Sequence, residues 1–355
     1  MINSQLPYNQ LPPLSEVQVR EDQNLRRALD DCRSELFQLN GYLDAQSVTE
    51  RESFCRIMKL LDAKYSFDLE AHSLALPRLF EAWSSENQLG DARAKRLFDF
   101  LSWYETQPVA GLSALEPVYL PAYKKPGDLI RERREIRIKS YYTNLTLYTA
   151  PVHSARMQYL RNDLNNAFER TSRDAGLLSM CLCHFQLRAL APFTESNGHI
   201  ARTYSKLFLK DMGLLYDVLP ISQVILRRKE TYNALVRETA DSGLYLNWSL
   251  FLLKVVRDAA SQMLERLKQT VSLRKKLTDQ LLKYDGYNLP AGTLARLLCE
   301  RPFIKPAMLT EALSCHRQTA YVYLEHLVKM GILTPKLSGR ERLYMHRALL
   351  DIFSD

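Results

Sequence analysis

Apolar residues recur with a helical period over most of the chain. Within 21–43, Leu25, Ala28, Leu29, Leu36 and Leu39 fall on one face, and Gly41 suits a helix stop. Phe54, Ile57, Met58, Leu61, Tyr65 and Leu69 continue the period over 50–72, and Leu97, Phe98, Leu101 and Trp103 carry it over 92–104. Residues 105–127 break it with Pro108, Pro117, Pro121 and Pro126, which read as a loop or domain edge. Residues 129–148 are the one strand candidate, with Ile136 and Ile138 alternating with Arg137 and Lys139, and read as a charged edge hairpin. Helices are expected again over 154–170, 174–190, 199–211, 217–241 and 247–283, with a hinge at 284–292. The chain has no internal repeat and no low-complexity tract.

The pattern beyond the hinge is that of a winged helix-turn-helix. Leu309, Ala312 and Leu313 mark a short helix ending near Ser314 and Cys315. A second helix runs from about Arg317 to Met330 with Ala320, Leu324 and Leu327 as its inner stripe, leaving Arg317, Gln318, Tyr321 and Lys329 outward. Gly331 stops it, and LTPKLSGRERLYM reads as two short strands turning at Ser338 and Gly339. A helix of this kind fits the DNA major groove, where Arg and Gln pair with purine edges, while Lys336, Arg340 and Arg342 on the wing face phosphates. Residues 291–355 carry nine basic and six acidic side chains, a net +3. DNA is therefore the expected partner of residues 293–355, with protein contact the alternative use of the same unit.

Composition narrows the class without choosing a function. The 355 residues are 46% hydrophobic and 25% charged, which excludes wholesale disorder, and a formal charge of +8 permits a phosphate-rich partner without requiring one. Six scattered cysteines form neither a disulfide framework nor a zinc pattern. The N-terminal residues lack a charged and apolar leader, and no apolar run is long enough to span a bilayer. A cytoplasmic protein without membrane contact is expected.

Candidate chemistry concentrates in HFQLRALAPFTESNGHIAR (184–202). A helix ends near Leu190, a proline-containing loop follows, and a new helix starts near Asn197. Backbone N–H groups at such a start attract anions, and Gly198 lets an oxyanion approach the backbone closely. Glu195 is a candidate ligand for a hard cation, and Arg202, one turn on, can grip a terminal phosphate. Asn-Gly before a helix is also a common simple turn.

The segment resembles the Fic (filamentation induced by cAMP) motif HPFx[D/E]GNGRxxR, through Pro192, Phe193, Glu195, Asn197, Gly198 and Arg202. His184, Leu187 and Leu190 fit the HxxFExIHPF helix that precedes it. The likeness extends along the chain: LPPL (11–14) resembles the family's N-terminal start, PGDLI (126–130) the beginning of its target-docking flap, ISQVILRRKETYNAL (221–235) its LSxxIxxxRxxYYxxL helix, and SCHRQTAYVYLEHLVKMGIL the C-terminal winged helix many members carry. The resemblance implies a mainly α fold: an N-terminal helical region (1–110), a Fic-like helical core with a small β-hairpin flap (111–284) and a winged helix-turn-helix (285–355). It implies ATP or another nucleotide, with magnesium, as cofactor and a homodimer as assembly. Asn197, Gly198, Arg202, Ser196 and His199 would then bind nucleotide, and Glu195 the metal.

Three departures redirect that reading. The family's catalytic histidine, the base that deprotonates the target hydroxyl, corresponds to Ala191. Ser196 replaces the first motif glycine, and His199 replaces the first motif arginine with a ring that is mostly neutral at neutral pH. DAKYSFDLEAH (62–72) resembles the inhibitory helix [S/T]xxxE[G/N], with Ser66 and Glu70 matched and Ala71 at the terminal position. In the family that Glu pairs with the second motif arginine, here Glu70 with Arg202; a plain ion pair between two helices is the alternative. The expectation is a catalytically impaired Fic-like protein acting as a DNA-binding transcriptional regulator with a nucleotide-sensing pocket. The alternatives are a metal-dependent enzyme that transfers or removes AMP with altered chemistry, using Glu70 and Glu195, and a dimerising scaffold for another protein.

Overall fold

The structure is a computed structural model that describes residues 2–70, 73–85, 91–104, 134–171, 176–194, 197–338 and 341–354. It is mainly α-helical with two small antiparallel sheets. Two caps start the N-terminal helices. Asp22 accepts from the Leu25 N–H at 2.8 Å to open α1 (Gln23–Asp44), and Ser47 with Glu50 forms a reciprocal capping box at the start of α2 (Val48–Leu69). Helix α1 does not stop at Gly41. A glycine inside a helix costs about 0.5–1 kcal/mol, and burial of Leu43 two residues beyond it outweighs that cost. Next come α3 (Leu76–Ser84), which the sequence pattern did not announce, and α4 (Ala92–Tyr104). The proline-rich segment 105–127, the flap-like PGDLI, the side chain of Trp103 and the boundary expected at 110 lie outside the described residues.

The strand candidate forms only a short hairpin, β1 (Arg137–Lys139) with β2 (Thr146–Thr149), in which Ile138 faces Tyr148 and both are buried. Arg137 and Lys139 are exposed, and Asn144 takes the left-handed turn conformation. The core follows as α5 (Ser154–Thr171), α6 (Leu177–Leu190) and α7 (Asn197–Asp211). The single helix expected over 217–241 is two, α8 (Ile221–Leu226) after Pro220 and α9 (Lys229–Ser242), separated at Arg227 and Arg228.

Helix α10 (Tyr245–Leu282) spans 38 residues, about 57 Å at 1.5 Å per residue. It is packed along α1, whose Leu25, Leu29, Cys32, Leu36, Leu39 and Leu43 sit three or four apart on one stripe. Its first turns bury Trp248, Leu252, Val256 and Met263 in the main hydrophobic cluster, and its last bury Leu277 and Leu281 in a second cluster with Leu298, Leu324 and Leu327. One rigid helix thus holds the C-terminal unit against the core. That unit runs α11 (Ala291–Glu300), β3 (Phe303–Ile304), α12 (Pro306–Leu313), α13 (Arg317–Lys329), β4 (Thr334–Ser338), β5 (Glu341–Met345) and α14 (Arg347–Phe353), with sheet order β3-β5-β4. Gly331, at φ +71°, ends α13. β3 and α14 are additions to the expected hairpin, and α14 packs Phe353 against Phe54 of α2, ring centroids 6.2 Å apart. No helix among the described residues is long and apolar enough to cross a membrane.

Candidate functional site

The site is built at the α6–α7 turn. Helix α6 is buried on nearly every side and ends when Ala191 turns left-handed, φ 44° and ψ 63°, with its N–H still donating to the Leu187 carbonyl at 3.1 Å. Asn197 staples the returning chain: its Oδ1 accepts from the Phe193 N–H and its Nδ2 donates to the Phe193 carbonyl, both at 2.9 Å. Helix α7 therefore starts with its N–H groups facing the turn. Gly198 leaves room for three charged side-chain ends, because a Cβ there would lie 2.7 Å from Arg188 Nη1, 2.7 Å from Glu70 Oε1 and 2.9 Å from Arg202 Nη1 and would displace them.

Arg202 lies one turn after Gly198 on the same helix face. Its Nη2 donates to Glu70 Oε1 and to the Ser66 carbonyl, and its Nε to Ser66 Oγ, each at 3.0 Å. Ser66 and Glu70 reach it from the end of α2, so the two positions matched to the inhibitory helix do meet the matched arginine; Ala71 lies outside the described residues. Burial alone would raise the Glu70 carboxyl, but the Arg202 and Arg188 guanidiniums outweigh it and hold it below the usual carboxylate range. Lys229 Nζ donates to the Leu69 carbonyl at 2.7 Å, and burial together with the two arginines pushes the amine below its ordinary value.

These groups line a cavity of about 530 Å³ between the turn, the end of α2, the β hairpin and the start of α9. Ala191, Asn197, Gly198 and Arg202 are on its wall. Its described charged lining comprises Arg134, Arg137, Lys139, Arg188, Arg202 and Lys229 against the carboxylate of Glu70. Such a surface attracts an anion of more than one charge. Arg188 and Lys229 were not singled out from the sequence, although both fall in the segments that carry the family likeness.

Other expected site residues are placed elsewhere. His199, one residue past Gly198, is turned a further 100° round α7 and does not line the cavity. Its Nδ1 is 2.7 Å from Ser66 Oγ and its ring sits edge-on to Phe67 and Phe100. Burial, with Arg202 and Lys206 nearby, holds it neutral with a pKa well below the usual imidazole value. It fills an aromatic slot rather than binding a ligand in the cavity. His184 is fully buried, with Nδ1 2.7 Å from Ser205 Oγ and Nε2 2.7 Å from Tyr232 Oη. Neither imidazole is on the cavity wall beside Ala191. Glu195 and Ser196 lie outside the described residues.

A magnesium ion needs several hard oxygen ligands. Among the described residues of the wall, the carboxylate is that of Glu70, already bonded to Arg202 with Arg188 beside it. No group of three or more His, Cys, Asp or Glu side chains suited to a metal occurs among the described residues. The described donors do not fit a divalent cation.

A second surface is the outer face of α13. Arg317, Gln318 and Lys329 are exposed on it, while Tyr321 is half-buried beneath the Arg317 guanidinium, 5.8 Å from its ring centroid. Arg342 is exposed on β5 and lies over Tyr344; Arg340 lies outside the described residues. Lys336 departs from the expected phosphate-facing role. Its Nζ bonds Glu81 of α3 at 3.1 Å and lies over Phe303, so it ties the wing to the N-terminal helices. The reason is Glu81 itself, a buried carboxylate that needs a cation.

Comparison with known proteins agrees with this architecture. Residues 287–349 match the family model described as "Protein adenylyltransferase SoFic-like, C-terminal domain". The whole fold is similar to the crystal structure of a Fic family protein from Desulfovibrio desulfuricans G20, with a TM-score of 0.57 and 19% identity over 93% of this chain and 98% of that one. The fold is thus Fic-like, and its C-terminal unit is similar to that of a SoFic-like adenylyltransferase.

Proposed function

We propose that this protein is a Fic-fold regulator that binds DNA through α13 and the wing, that does not transfer AMP at an enzymatic rate, and whose cavity senses a phosphate-bearing ligand. The observation that carries the reading is the methyl group of Ala191 on the cavity wall, with both neighbouring imidazoles committed to other partners. General-base catalysis is commonly worth about 10²–10⁴-fold, and alanine has no lone pair with which to supply it. The exposed Arg317, Gln318 and Lys329 support the DNA-binding half, since a groove-reading helix needs donors of this type on its open face.

The test is incubation with labelled ATP, magnesium and cell lysate. The natural sequence is expected to label nothing above background, and Ala191→His to raise labelling by about 10²–10⁴-fold. The left-handed backbone at this position suits the change, because histidine tolerates that conformation better than most residues. A second reading, an enzyme of altered chemistry, is favoured by Lys229, an amine on the same wall as Ala191 whose pKa burial and the two arginines lower. Labelling by the natural sequence that disappears in Lys229→Met would put this reading first.

A further inference from the structure

Helix α6 carries a cation where the HxxFExIHPF pattern has a carboxylate, because the residue after Leu187 is Arg188. That exchange reverses the charge next to the turn that builds the cavity. Arg188 is half-buried and held in place: Nη2 donates to Asn233 Oδ1 at 3.2 Å, and the guanidinium lies 5.1 Å from the Tyr232 ring centroid. Its Nε is buried and has no hydrogen-bond partner among the described residues. Its Nη1 comes within 2.7 Å of where a Cβ of Gly198 would stand, on the spot also approached by Glu70 Oε1 and Arg202 Nη1.

Three anchored cations thus converge from three elements. Arg202 is fixed by Ser66, Lys229 by the Leu69 carbonyl and Arg188 by Asn233. The Glu70 carboxylate offsets one of these charges, and the surplus is what a phosphate dianion neutralises. Forked guanidiniums match phosphate oxygens two at a time, which an ammonium does not. Among the described wall residues the carboxylate is that of Glu70, and it already has Arg202 and Arg188 beside it, so the described groups favour an anion over a divalent cation.

We infer that Arg188 is an anion-binding residue of the cavity, which with Arg202 and Lys229 grips the phosphates of a diphosphate-bearing ligand without a divalent cation. The inference rests on the reading of this cavity as a ligand site. It is independent of whether the protein catalyses transfer. The diphosphate is either free or part of a nucleoside diphosphate, and both present the same oxygens to the three cations.

Calorimetric titration of the full chain with inorganic pyrophosphate and with ADP, first in EDTA and then in excess magnesium, tests it. Binding in EDTA is expected, with no tightening on adding magnesium. Arg188→Gln keeps an amide donor for Asn233 while removing the charge, and is expected to weaken pyrophosphate at least tenfold with an unchanged melting profile; Arg188→Lys is expected to lose less. Glu70→Gln removes the internal carboxylate and is expected to tighten pyrophosphate several-fold, a readout that does not depend on the Arg188 variants folding. ADP binding at least tenfold tighter than pyrophosphate identifies a nucleotide, and equal binding identifies free diphosphate. Binding that requires magnesium, an unchanged affinity in Arg188→Gln, or no binding of either compound overturns the inference. The labelled-ATP assay separates the two proposals: labelling by the natural sequence together with Arg188-dependent binding in EDTA removes the non-catalytic reading and leaves this one standing.

Discussion

Among the described residues, two helices end on a left-handed residue that is not glycine, α6 on Ala191 and α12 on Ser314. The helices that follow them have opposite surroundings. Every residue of α7 from Asn197 to Leu209 is buried, whereas α13 buries only Ala320, Leu324 and Leu327. A charged or polar side chain on an enclosed helix must find its partner inside the protein, since an unpaired one costs several kcal/mol. On an open helix the same side chain is available to another molecule. Sequence changes in α7 therefore alter internal fit, as where His199 occupies the slot between Phe67 and Phe100, while the residues of α13 are free to be chosen for an outside partner.

The largest test of this contrast is in α7. Lys206 is buried and pairs with Asp62, whose second oxygen accepts from the Ser222 N–H at 2.9 Å. Lys206→Met leaves the Asp62 charge without its cation and is expected to cost about 3–5 kcal/mol in urea unfolding. Lys329→Met on the open face of α13 is expected to change stability by no more than about 0.5 kcal/mol. Similar losses from both would mean that α13 is as enclosed as α7, and the DNA proposal would lose its surface.

The next effect runs the other way. Arg317→Ala is expected to leave unfolding unchanged and to weaken DNA binding by about 1–3 kcal/mol, read by fluorescence anisotropy at one fixed salt concentration. Unchanged affinity, or no DNA binding by the natural sequence, breaks the comparison at its exposed end.

The same contrast explains what was legible in the sequence. Periodicity located the long helices because a 3.6-residue stripe survives wherever one face is buried, and Ala320, Leu324 and Leu327 were read correctly for that reason. The meeting of Glu70 with Arg202 was also legible, through a motif. Arg188 and Lys229 were not, because within α6 and α9 their charges resemble ordinary surface positions, and only the tertiary approach of α2 and the hairpin makes them a cavity wall. His199 was misplaced because the motif carries over the position of an arginine, whereas the ring that stands there is held by Ser66, Phe67 and Phe100 away from the cavity. Lys336 was misplaced because its partner Glu81 lies in α3, 255 residues away in the chain and in a helix the pattern did not announce.

The smallest expected effect concerns His199 and acid. In the folded chain its Nδ1 shares a hydrogen bond with the Ser66 hydroxyl, and burial with Arg202 and Lys206 close by keeps its pKa well below the ordinary value of 6.5. Once unfolded, the ring regains that value. Between the two values the unfolded chain binds a proton that the folded chain refuses, so stability falls as pH drops below 6.5 and keeps falling until the folded pKa is reached. One such group contributes a slope of up to about 1.4 kcal/mol per pH unit. His184 and His346 are also depressed by burial and act with the same sign, so the natural protein is expected to lose stability as pH falls below 6.5. His199→Gln retains a polar group facing Ser66 but cannot titrate, and should flatten that slope by one proton while leaving the other two. An unaltered slope in urea melts across this range would place His199 in contact with solvent, and α7 would then be no more enclosed at its start than α13.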